Sequence, residues 1–192
     1  IQDAVNAAQP GDTVRVTNGV YSRMTISKAI TVESVMGSEV TVIDGGGVGR
    51  CATLDTNTVL RGFTLRNGRY TYSGGGGEAH GGGGVYGGTL YDCIVTENSV
   101  VATDEDYAAH GGGAYQSTLH NCTVAVNQYG GADGCTLYNC TMTGNSWVGA
   151  SGTLYNCTVT GNEGGGASGT LYNCFITDNN GGSGGFLYGC TV

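Results

Sequence analysis

Apolar positions in the second two thirds of the chain recur in one short phrase, Leu-x-x-Cys-x-Val, as at Leu154, Cys157 and Val159. The phrase opens as Thr89-Leu90-Tyr91-Asp92-Cys93 and returns as Thr118-Leu119-His120-Asn121-Cys122, Thr136-Leu137-Tyr138-Asn139-Cys140, Thr153-Leu154-Tyr155-Asn156-Cys157 and Thr170-Leu171-Tyr172-Asn173-Cys174, with Phe186-Leu187-Tyr188-Gly189-Cys190 last. Successive cysteines are 29, 18, 17, 17 and 16 residues apart, and an earlier copy at Val59-Leu60-Arg61-Gly62-Phe63 puts Phe63 in the cysteine position. Such a period is too short for a repeat built from two helices. Thr, Val and Tyr between glycine clusters predict short strands joined by turns. The pattern therefore predicts stacked strand rungs, a β-solenoid.

Alternation within each unit breaks once, at the residue before the cysteine. Asn121, Asn139, Asn156 and Asn173 stand there, and Asn tolerates the left-handed conformation of a corner. Their amides are expected to form a ladder, with Leu, Cys and Val columns inside and Tyr and Thr columns outside. Parallel crossovers favour the right-handed sense. The fold class expected is all-β, a right-handed parallel β-helix with a short N-terminal capping α-helix.

Ile1 to Ala8 supplies that helix: its apolar residues fall at helical spacing and Pro10-Gly11 ends it. Strands follow at Thr13-Val14-Arg15-Val16, Ile30-Thr31-Val32 and Val40 to Gly47. The organisation expected is one domain over residues 1–192. Residues 1–12 form the cap and turn, 13–58 irregular first rungs and 59–192 regular rungs, with long loops at 69–86 and 99–115. Both ends read as cut, and the last rung as open.

Composition removes several alternatives. The 38 glycines come with one proline and no Gly-X-Y triplet, so neither collagen nor proline-rich disorder fits. No run of 18 apolar residues is present, so no transmembrane segment is expected. All seven Lys and Arg precede Tyr70, and residues 70–192 carry nine acids, a surface that repels nucleic acid.

The opening residues, with Ala8-Gln9-Pro10-Gly11-Asp12-Thr13-Val14 and Val42-Ile43-Asp44-Gly45-Gly46-Gly47, resemble the start of the right-handed parallel β-helix superfamily that includes pectate lyases. The repeats resemble those of large bacterial surface β-helix proteins. Gly112-Gly113-Ala114, Gly130-Gly131-Ala132 and Gly165-Gly166-Ala167 are similar to the Gly-Gly-Ala signature of polymorphic outer-membrane autotransporters, whose companion Phe-x-x-Asn is absent. The resemblance implies the fold and a secreted or cell-surface location. It leaves activity open, because one fold hosts many activities.

Two groups of residues carry candidate chemistry. The long loops end alike, at Ala79-His80-Gly81 and Ala109-His110-Gly111, so adjacent rungs would bring His80 and His110 together near Glu78. These three are the catalytic candidates, and Asp104, Glu105 and Asp106 are weak candidates for calcium, the one cofactor considered. A solvated, glycine-rich loop is the competing reading, and it is favoured because glycine gives the histidines no support. A lyase base is not expected either, since only Arg61, Arg66 and Arg69 lie near the repeat face.

Binding candidates are the loop tyrosines Tyr70, Tyr72 and Tyr107 and the stripe Tyr138, Tyr155 and Tyr172. The cysteines, too far apart in sequence for a zinc motif, are expected as a reduced, buried ladder with Cys51 also inward. Cys135 stands out as the outward thiol open to bridging. The function expected is an extracellular structural, adhesive or fibre-forming solenoid that self-associates or meets a surface polysaccharide. The alternative is a carbohydrate-active enzyme or carbohydrate-binding module using the His80 and His110 loops, and enzyme activity is not favoured.

Overall fold

A computed structural model of the chain describes residues 1–72, 81–102 and 111–192. Its strands are short because each unit changes direction wherever alternation breaks, and every strand pairing is parallel, so the chain climbs as a parallel β-helix. Among the described residues, three long columns of strands result, beside a separate pair formed by Arg69–Tyr72 and Ser99–Ala102.

The first column runs from Thr13–Val16 through Thr31–Ser34, Val59–Arg61, Thr89–Tyr91 and Thr118–His120 into Ala132–Tyr138, Ala150–Tyr155, Ala167–Tyr172 and Gly184–Tyr188. Its inward residues pair in unbroken register from Val14 and Val32 to Leu60, Leu90, Leu119, Leu137, Leu154, Leu171 and Leu187. Leu60 to Leu171 are fully buried. Each contributes about 1.5–3 kcal/mol by leaving water.

A second column, from Gly19–Ser22 to Phe175–Thr177, buries Ile43, Leu65, Val95, Val124, Met142, Val159 and Ile176 in the same manner. The third begins at Met24–Ile26 and Ala52–Leu54 and merges with the first where Ala132–Tyr138 spans both. Its inward residues, Ala52, Val85, Ala114, Ala132, Ala150 and Ala167, are small, which keeps this side close to the core.

Corners use left-handed backbone. Asp92, Asn121, Asn139, Asn156 and Asn173 have φ of 52–54°, and amides reach along the edge, Asn156 Nδ2 donating to Asn139 Oδ1 at 3.3 Å and Asn139 Nδ2 to Asn121 Oδ1 at 3.4 Å. The expected corner ladder is present.

Helix α1, Gln2–Ala7, packs Val5 into the core. Its Gln2 amide mimics a neighbouring strand: Nε2 donates to Thr25 O at 3.0 Å and Oε1 accepts from Thr25 N at 2.9 Å. Lys28 Nζ donates to the carbonyls of Asn6 and Ala8 at the helix C-terminal end.

All eight cysteines are free and seven are buried, Cys51 included. Cys135 corrects the sequence reading, for it is buried and free rather than outward. The register shifts between Ala132 and Cys135, and Gly134 there takes a φ of 60°. One extra residue in a bulge reverses the alternation, so Cys135 turns inward opposite Gly152.

Candidate functional site

The outward residue that follows each inward Leu forms one continuous line of paired positions. It starts as charge, Arg15, Glu33 and Arg61, and continues as Tyr91, His120, Tyr138, Tyr155, Tyr172 and Tyr188. Parallel pairing sets neighbouring rungs about 4.8 Å apart. The rings adopt that spacing, with centroids 4.6 Å apart on both sides of His120 and 4.9 Å apart from Tyr138 to Tyr188. Planes differ by 4° between Tyr138 and Tyr155 and again between Tyr155 and Tyr172.

Stacking consumes the ring faces. A sugar normally docks on an aromatic face, and within the column each face meets the next ring. Solvent meets a ridge of half-buried ring edges, flanked by the exposed corner Asn ladder. The column thus offers a long, flat, polar-edged ridge rather than a row of sugar platforms. His120 occupies a Tyr position in it, and partial burial between Tyr91 and Tyr138 holds its imidazole below the ordinary value near 6.5.

The loop candidates divide. Glu78, His80, Asp104, Glu105, Asp106, Tyr107 and His110 lie outside the described residues. What the structure places is the roots of both loops. Arg69–Tyr72 pairs in parallel with Ser99–Ala102, and Gly82 N donates to Gly111 O at 2.9 Å, so the roots sit on consecutive rungs. Tyr70 is half-buried, and the Arg50 guanidinium covers one of its faces at 3.7 Å from the ring centre. Tyr72, expected as an exposed sugar contact, is buried at 7% exposure because it falls on the inward alternation of its strand. Among the described residues, no group of three or more His, Cys, Asp or Glu is arranged to hold a metal ion.

A second amide ladder runs inside, at residues that sequence reasoning passed over. Asn98, Asn127, Asn145 and Asn162 are 0–1% exposed. Each Oδ1 from Asn127 onward accepts both the backbone N–H and the Nδ2 of the asparagine one rung before, at 2.8–3.1 Å, as far as Asn179. The Nδ2 groups also donate to Leu65, Val95, Val124, Met142 and Val159 carbonyls. Each amide thereby closes the corner after the second column and leaves no free valence for a ligand.

The thiols are equally committed. Sγ of Cys122, Cys140 and Cys157 donates to the carbonyl two residues earlier at 3.2–3.3 Å. Burial pushes the Cys51 and Cys135 thiols up to about 12, far from the thiolate a nucleophile needs. No protein-family model and no curated protein matches the chain.

Proposed function

We propose that this chain is part of an extracellular structural or adhesive β-helix of a bacterial surface, related to the right-handed parallel β-helix superfamily and working as a rigid, non-catalytic scaffold. The aromatic column carries the reading. Its ring faces are spent on one another, and its edges make a ridge suited to lateral docking of a second copy. The interior supports the same role, because buried thiols and saturated amides add stiffness rather than reactivity.

Sedimentation and electron microscopy of the chain with and without Tyr138→Ser, Tyr155→Ser and Tyr172→Ser together test it. Side-by-side assemblies are expected from the unaltered chain and their loss from the variant. Monomers at every concentration of the unaltered chain would end the proposal.

One observation favours a second reading. The roots of the two long loops sit on consecutive rungs, which suits carbohydrate binding or turnover by His80 and His110, with calcium at Asp104, Glu105 and Asp106. His80→Ala combined with His110→Ala should then abolish polysaccharide binding or turnover, and calorimetry should detect calcium. An unchanged double variant removes this reading.

A further inference from the structure

Apart from the ridge, where ring faces are spent on one another, stands a second aromatic pair. Tyr129 and Trp147, 42% and 53% exposed, occupy the same position on consecutive rungs, two residues after the buried Asn127 and Asn145. Their ring centroids are 6.1 Å apart and their planes differ by 35°. Rings that stack on adjacent rungs adopt the rung spacing of about 4.8 Å. This pair is splayed instead, and it leaves aromatic face open to solvent.

The pair has rigid roots, as a binding site requires. Asn127 and Asn145 are locked in the inner amide ladder, Tyr129 N donates to Ser146 Oγ at 3.1 Å, and Gly164 N donates to Trp147 O at 2.9 Å. The next two rungs continue the line of Trp147 with Gly164 and Gly181, so no side chain follows the indole in that line on either rung. A line of polar residues runs beside it. The backbone N–H groups of Gln128, Ser146, Glu163 and Asn180 donate to the Asn98, Asn127, Asn145 and Asn162 carbonyls at 2.8–3.1 Å, which places one on each rung. All four are exposed, and the side chains of Gln128, Glu163 and Asn180 make no hydrogen bond with the described residues. Together they offer donors and acceptors, and Glu163 alone is charged.

We infer that Tyr129 and Trp147 form a platform for a neutral, extended glycan chain lying along the helix axis. The C–H face of a pyranose ring packs on an aromatic face while its hydroxyls need donors and acceptors, and this surface supplies both side by side. Rungs repeat at about 4.8 Å, close to the length of one hexose unit in an extended chain. A straight line of rungs therefore suits a β-linked polymer, whereas an α-1,4-linked one coils away from it. Glu163 repels uronate and sulfated chains. Two rings followed by bare glycine are too small an apolar area for a stable contact between copies, which buries about 1,200–2,000 Å². The inference gives the adhesive side of the proposed role a ligand class, yet it uses residues outside both the ridge and the long loops.

Trp147 is the only tryptophan of the chain, so its fluorescence reports on this surface alone. Titration with cellohexaose should move its emission to shorter wavelength and saturate, while maltohexaose and hexagalacturonate should bind more weakly. Calorimetry on Trp147→Ala and Tyr129→Ala, both at exposed positions and checked for folding by circular dichroism, should show cellohexaose affinity reduced about tenfold or more. Tyr155→Ser, on the ridge, and His80→Ala should each keep full affinity. No cellohexaose binding, binding that leaves Trp147 emission unchanged, equal or tighter binding of maltohexaose or hexagalacturonate, or unchanged affinity in both folded variants overturns the inference. So does loss of self-association in Trp147→Ala without any glycan binding, which would make the pair a contact between copies. A chain that stays monomeric but binds cellohexaose through Trp147 ends the lateral association proposed above and leaves this inference standing.

Discussion

Arg61 lies with its guanidinium carbon 4.5 Å from the centre of the Tyr91 ring while its Nη1 contacts Asp92 Oδ2 at 3.3 Å. It closes one end of the aromatic column, converting a charged line into a stacked one. Both partners of the ion pair are about half exposed, so the contact adds little. Arg61→Ala is expected to cost below ~1 kcal/mol in denaturant unfolding. Tyr155→Ala removes two ring contacts and is expected to cost about 2 kcal/mol or more, because each stacked pair adds ~0.5–1.5 kcal/mol beyond burial. Equal losses would show that the column does not stack as described.

The two asparagine ladders should respond very differently to substitution. Asn145→Ala leaves the Asn127 N–H and Nδ2 and the Val124 carbonyl without their buried partner, and is expected to cost at least ~3 kcal/mol. Asn156→Ala, at an exposed corner with φ of 53°, is expected to cost only ~1–2 kcal/mol of backbone strain. Asn156→Gly should be nearly neutral. Unfolding midpoints of the three variants give the ranking.

Val126 holds a φ of 56° although its branched side chain opposes that conformation, and it is 58% exposed. Gly144 and Gly161 take the equivalent corner on the next rungs. Val126→Asn is expected to raise stability by about 1 kcal/mol, read as a higher unfolding midpoint. A lower midpoint would mean that the Val126 side chain has a packing role.

His120 gives stability a pH dependence. Its folded pKa is lowered by burial, so the unfolded chain binds the proton more readily. The contribution is complete above the ordinary value near 6.5 and is lost as pH falls through the lowered folded value. His120→Tyr should remove this component and flatten the difference in unfolding midpoint between neutral pH and about pH 5. His80 and His110 are common to both proteins, so the comparison isolates His120.

Thiol titration checks the cysteine interior. The seven buried thiols should stay unreactive in the native protein, Cys135 among them, while denaturant should release all eight. Fast native labelling of Cys135 would restore it as an outward thiol.

Much of this architecture could be read from spacing. The Leu and Cys columns and the corner asparagines follow from a period and one break in alternation, both visible in the chain. The buried asparagines were equally periodic, each five residues after a cysteine, from Cys93 and Asn98 to Cys174 and Asn179. Their polarity gives no signal of burial, and only hydrogen bonding between rungs explains an uncharged amide in the core. Cys135 was misread from its place just before a repeat begins, although it stands two residues before Leu137 and shares that residue's inward face.

In the inner amide ladder each oxygen accepts from the rung before, and from Asn98 to Asn162 each Nδ2 also donates to the asparagine oxygen on the rung after. This line of dipoles has a direction but no built-in length. Each asparagine reads only its immediate neighbour, so a whole unit can be gained or lost without any other unit being rewritten. Evolution can therefore adjust the reach of such a rod by copying, leaving the helix-capped first rungs untouched.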